Sequence, residues 1–132
     1  VDFPPGTGDV QISMSQKLKL DGSLIVTTPQ LLSLKDVIRG INMFIKVGVP
    51  ILGVVENMSF LEENNQKKFI FGESKTKSIL LKENINLIEE LPFNLNIPKS
   101  CDEGKPYCFD YKDDYSKQFE NIVRAITNKF KN

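Results

Sequence analysis

The chain has 132 residues, 40% hydrophobic and 26% charged, the proportions of an ordinary globular protein long enough for a real core. Seventeen basic and seventeen acidic residues cancel to a formal net charge of zero, so no global field draws it to nucleic acid or an acidic membrane surface. It contains no histidine, which excludes imidazole acid–base catalysis and histidine metal sites from these residues. Two cysteines are too few for a disulfide scaffold, and no serine or cysteine is paired with a plausible base.

The first residues read Val1-Asp2-Phe3-Pro4-Pro5-Gly6-Thr7-Gly8-Asp9. An aspartate at a strand end, running into a Gly-rich turn, is how P-loop NTPases place a carboxylate near Mg²⁺ and sense a γ-phosphate with backbone N–H groups. Two prolines stiffen the approach, and two glycines allow backbone close to a phosphate. Asp2 by itself could equally cap a turn; the Pro-Pro-Gly-Thr-Gly-Asp that follows argues for a switch. The strand that should carry Asp2 is missing, and no stretch matches G-x-x-x-x-G-K-S/T. The expectation is that residues 1–132 are the C-terminal portion of a single P-loop NTPase domain, lacking its N-terminal strands and its Walker A loop.

Residues 10–16 can form a short helix, with Val10 and Met14 one turn apart and Asp9 placed to cap it. Residues 22–28 are a short unalternating apolar run, as in strands buried on both faces, and Pro29 ends it. Leu31, Leu34, Val37, Ile38, Ile41, Phe44 and Ile45 share one face of a helix that ends near Gly48. Residues 50–55 form another buried-type strand, leading into Glu56-Asn57-Met58. Residues 59–68 are polar, a surface loop or hairpin closed by Phe69-Ile70-Phe71-Gly72. A short helix is expected over 75–83 and a short strand over 86–90. Residues 93–112, with Pro98, Gly104 and Pro106, read as loop, carrying Cys101 and Cys108 as free thiols. Tyr115, Phe119, Ile122, Val123, Ile126 and Phe130 mark a final amphipathic helix.

Strands alternate with helices and are continuous apolar runs, which predicts an α/β fold: a parallel sheet flanked by helices on both faces. Ligands of such sheets bind beyond the carboxyl ends of the strands. Asp2, the Thr27-Thr28-Pro29-Gln30 corner and Glu56-Asn57-Met58 all fall at those ends.

Residues 2–9, Ile25-Val26-Thr27-Thr28-Pro29-Gln30, Gly53-Val54-Val55-Glu56-Asn57-Met58-Ser59 and Phe71-Gly72 occur in the order and similar spacing found in the Mrp/Nbp-type P-loop ATPases. Leu91-Pro92-Phe93 and Asp102-Glu103-Gly104-Lys105-Pro106 resemble that family's later landmarks. Its members are iron–sulfur cluster carriers or scaffolds of the MinD/ParA group. The resemblance implies ATP and Mg²⁺ as cofactors, with Asp2 on the metal side and Pro5, Gly6, Thr7 and Gly8 as the γ-phosphate switch. It makes Asn57 the reader of adenine and Pro92 a residue flanking the base. An amide suits a base edge because it offers both donor and acceptor, although the same side chain could simply tie down its own turn.

One departure stands out. Typical members carry a Cys-x-x-Cys pair shortly after Glu-Asn-Met-Ser, and two subunits together hold a 4Fe–4S cluster with those thiolates. Residues 59–72 here contain no cysteine. The plastid-type scaffold branch, which this sequence resembles most, lacks the pair there too. The resemblance implies cluster assembly and transfer to apo iron–sulfur proteins by a homodimer with slow ATP hydrolysis, with no nucleic-acid or membrane partner. A cluster itself rests on that likeness alone. The compartment implied is the cytoplasm, or alternatively a plastid or mitochondrial interior. Two other readings stay open. One is a MinD/ParA-like positioning ATPase, whose last helix carries Lys117, Arg124, Lys129 and Lys131, diluted by Asp113, Asp114 and Glu120. The other is a partner-binding α/β fragment that uses no nucleotide.

Overall fold

The computed structural model describes residues 1–4, 6 and 8–131; Pro5 and Thr7 of the expected switch lie outside the described residues. Three strands, β1 (Ser23–Thr27), β2 (Ile51–Glu56) and a strand at Leu87–Glu90, form a parallel sheet with β2 in the middle. Between them in the chain, β3 (Leu61–Glu63) and β4 (Gln66–Lys68) make a separate antiparallel hairpin, so the third sheet strand is β5. The helices are α1 (Asp9–Lys17), α2 (Leu31–Lys46), α3 (Thr76–Lys82), α4 (Asn96–Asp102), α5 (Tyr107–Asp110) and α6 (Asp114–Asn128). The α/β architecture expected from the alternation of strands and helices is the one observed.

The crossovers through α2 and α3 cover the same face of the sheet, as required when strands are added in one direction with one hand. Val37, Ile41, Val54 and Leu80 form the core there, with Ile25 and Leu87 packed against them. On the other face α6 brings Ile122 against Val55 and Leu91, with Ile88, Tyr115 and Ile126 around them.

β1 departs from the strand expected to be buried on both faces. Val26 stands beside Val55 in the sheet register, yet Val26 is 61% exposed and Val55 3%. The reason is reach: α6 packs on β2 and β5, and the edge strand beyond them keeps Leu24 and Val26 exposed.

Three helices end in the same way. After α2, Gly48 takes φ 76°; its N–H bonds to the Ile45 carbonyl, and that of Val49 to Phe44. Asn84 (φ 56°) after α3 and Gly104 (φ 66°) after α4 repeat this pair of bonds, the Schellman arrangement that satisfies the last free carbonyls. The third of these corrects the expectation that residues 93–112 are loop. Gly104 closes a helix; Pro98 sits in that helix's first turn, where its missing N–H costs little, and Pro106 is the N-cap of α5. Cys101 and Cys108 are free thiols as expected, but on α4 and α5.

α1 also differs in detail. Gly8, not Asp9, is its N-cap, and no side chain caps it; Asp9 is the first helical residue, where its charge still favours the helix dipole. The helix buries its polar Gln11 and Ser15 and leaves Val10 exposed.

Candidate nucleotide groove

A groove of about 860 Å³ runs along the open edge of β1, between the first residues of the chain and α2. Asp2, Gly6, Thr27, Thr28 and Asn57 all line it, so three separate stretches of sequence meet at one rim. The parallel register produces this meeting: Thr27 pairs with Glu56, and the Asn57 N–H bonds the Thr27 carbonyl at 2.8 Å.

The opening segment is held from two sides. The Phe3 ring packs edge-on against Phe44 of α2 at 5.7 Å, and Gln11 Nε2 donates to the Pro4 carbonyl at 3.3 Å. Gly6 has φ 100°, a backbone state that favours glycine, and an added Cβ at Gly8 would come within 3.3 Å of Gln11 Oε1. Asp2 is exposed at the groove mouth. Neither Phe3 nor Gln11 was singled out in the sequence. Gln11 carries no signal there, whereas Phe3 beside a glycine-rich turn is an aromatic that needed a partner.

Asn57 is half-buried, and its Oδ1 accepts from the Met58 N–H at 2.9 Å. Its side chain therefore does tie its own turn. One oxygen lone pair and the Nδ2 protons remain, and among the described residues they have no partner. Pro92 lies elsewhere. Leu91 bonds Glu56 and Ser59 through its backbone, and Pro92 follows on that side of the turn, outside the groove lining.

The lining holds two carboxylates, Asp2 and Asp36, and no lysine or arginine among the described residues. Among those residues no cluster of three or more His, Cys, Asp or Glu is placed to hold a metal ion. The donor set thus fits a metal ion that takes one carboxylate contact and fills its other positions with phosphate oxygens and water, the habit of Mg²⁺. No described helix is long and apolar enough to cross a membrane.

The glycine-containing turn and the Asn57 amide thus stand at the carboxyl ends of the strands of a parallel α/β sheet, the side where ligands of such folds bind. The chain belongs to the family described as ParA: NUBPL iron-transfer P-loop NTPase, which it matches over residues 1–127. It is 44% identical over 134 residues to the "Iron-sulfur protein required for NADH dehydrogenase, mitochondrial" of Arabidopsis thaliana, covering 99% of this chain and 43% of that protein. It is 35% identical over 130 residues to the "Iron-sulfur cluster carrier protein" of Aquifex aeolicus, covering 96% of this chain and 36% of that one. Among solved structures it superposes with TM-score 0.72 and 35% identity on the nucleotide-binding protein of Archaeoglobus fulgidus in complex with ADP, covering 86% of this chain and 46% of that chain. The chain spans less than half the length of these relatives. The matching description is that of NUBPL-type proteins.

Proposed function

We propose that this chain is part of an ATP-binding iron–sulfur cluster carrier that delivers clusters to apo-proteins. The supporting observation is the convergence of Asp2, Gly6 and Asn57 on one groove in a chain of this family. In this reading Asp2 holds Mg²⁺ through water, and the metal neutralises charge on the β- and γ-phosphates when bound. Residues 5–8 follow the presence of the γ-phosphate, and Asn57 offers Nδ2 to the base. Pro92 acts at most on the outer side of the base. The phosphates need cationic partners that the described groove does not contain, so a lysine supplied from outside it completes the site.

The cluster is cargo. With no cysteine in residues 59–72, it is held by other thiolates, in a homodimer whose slow ATP hydrolysis drives its rearrangement. Free Cys101 and Cys108 agree with a reducing interior, cytoplasmic or alternatively plastid or mitochondrial.

Anaerobic reconstitution of the full-length protein with iron and sulfide tests this reading. Stoichiometric iron and sulfide, a cluster absorption band and transfer to an acceptor apo-protein are expected. Failure to load under conditions that load the Aquifex relative would leave a nucleotide switch with another cargo.

A further inference from the structure

Next to Asn57 in the chain stands an acidic side chain with no cationic partner among the described residues. Glu56, the last residue of β2, is fully buried. Among the described residues its carboxyl meets hydroxyls alone: Ser59 Oγ donates to Oε1 at 2.9 Å, and Ser74 Oγ and Thr76 Oγ1 donate to Oε2. Ser74 Oγ in turn accepts from the Thr76 N–H at 3.1 Å, which leaves its proton for the carboxyl. Burying an ionisable group is costly unless its acceptors are filled, and an aliphatic side chain would fill the same space without that cost. Single-proton donors converging on two oxygens suit an acceptor-only group. An amide in its place would put an NH₂ against hydroxyls that now donate, so at least one of them, such as Ser59 Oγ, would have to turn and accept.

The same residue closes the turn that carries Asn57. The one Ser59 Oγ proton is shared between Oε1 and the Glu56 carbonyl at 3.1 Å, Leu91 bonds Glu56 and Ser59 through its backbone, and Asn57 N–H is tied to Thr27. Asn57 and Met58 are thus strung between two anchored residues. Met58 has φ 58°, a left-handed state uncommon for its type that the surroundings must hold.

We propose that Glu56 is a positioning residue for nucleotide recognition. By gripping Ser59 across the turn, and Ser74 and Thr76 at the head of α3, it fixes the Asn57 amide toward the groove and couples α3 to what the groove binds. This rests on the base-reading role of Asn57 given above.

The test measures ATP and GTP affinities of full-length protein, together with melting temperatures. Glu56→Gln and Asn57→Ala are each expected to lower the ATP-over-GTP preference by about 5- to 10-fold, the weight of roughly one well-placed hydrogen bond. The double variant should lose no more than either alone, because both act on one contact. If Asn57→Ala lowers the preference while Glu56→Gln lowers only the melting temperature, Glu56 is merely structural and the proposal is overturned. If Asn57→Ala leaves the preference intact, the base-reading role falls first and takes the proposal with it. Should Glu56→Gln fail to fold, Ser59→Ala removes one donor from the same turn. An unchanged preference there overturns the proposal equally.

Discussion

Asn57 makes two uses of one amide, and a substitution separates them. Its Oδ1 holds the Met58 N–H, while in the proposed role Nδ2 is offered to the base in the groove that Asn57 lines. Asn57→Asp keeps the oxygen and replaces the donor with an acceptor; it should preserve the fold yet weaken ATP binding by about tenfold or more, since a charge then meets the base and phosphates. Calorimetric titration of the full-length protein would show this, and unchanged affinity would remove Asn57 from the site. Outside the groove lining, Tyr107 donates its hydroxyl to Asp113 Oδ2 at 2.6 Å, and Asp113 Oδ1 caps α6 through the Ser116 N–H at 2.9 Å. The Tyr107 hydroxyl, then the Ser116 N–H, hold the Asp113 carboxyl below its ordinary value. Burial, then Asp113, pushes Tyr107 up. Asp113 therefore contributes stability that is present above about pH 4 and lost as pH falls through its lowered value. Tyr107 contributes stability present below about pH 10 and lost as pH rises through its raised value. Tyr107→Phe should cost about 1–2 kcal/mol at pH 7. Urea melts across pH should show smaller acid and alkaline losses in the variant than in the parent.

At the scale of elements, the local chemistry of chain reversal explains what could be read in advance. Periodicity marks α2 and α6, and a continuous apolar run marks β2, because their apolar residues recur at a regular spacing over most of their length. α4 and α5 escaped notice since each has few buried residues and contains or adjoins a proline. Gly104 read as a loop residue, although after a helix it is the same stop signal as Gly48. Asn84 hid a third such stop, because asparagine tolerates φ > 0 less visibly than glycine. Two predictions follow from that shared ending. Gly48→Ala should destabilise by about 1–2 kcal/mol, the cost of a left-handed residue with a Cβ. Asn84→Gly should stabilise by a few tenths to about 1 kcal/mol, both measured by thermal or urea melts. The site was half legible. Asp2 and Asn57 stand at strand ends in recognisable company. Glu56 gave only a weak sign, a charge at the end of an apolar strand, because its hydroxyl partners Ser74 and Thr76 lie far along the chain.

Across the whole molecule the apolar surface is unevenly closed. Both faces of β2 are covered, while among the described residues β1 offers an unpaired edge together with exposed Leu24 and Val26. An uncovered edge of this kind invites association. A polypeptide of these 132 residues should bind a hydrophobic dye and self-associate with rising concentration, and Val26→Lys should reduce both in dye-binding and light-scattering measurements. The same polypeptide should show no Mg²⁺-dependent ATP hydrolysis, because among the described residues no lysine or arginine lines its groove to grip the phosphates. Robust turnover would contradict the proposed division of the site.

The aromatic corner at α5 and α6 has a spectroscopic consequence. The chain has no tryptophan and three tyrosines: Tyr107 and Tyr111 stack at 4.4 Å, and Tyr115 stands edge-on to Tyr107 at 5.4 Å. Every intrinsic ultraviolet fluorophore other than phenylalanine is therefore gathered in one corner, none of them in the groove lining. Tyrosine emission will report the undocking of α5 from α6 and stay silent when a nucleotide enters, so an optical signal for the groove has to be built in, for instance by a tryptophan placed at Phe44.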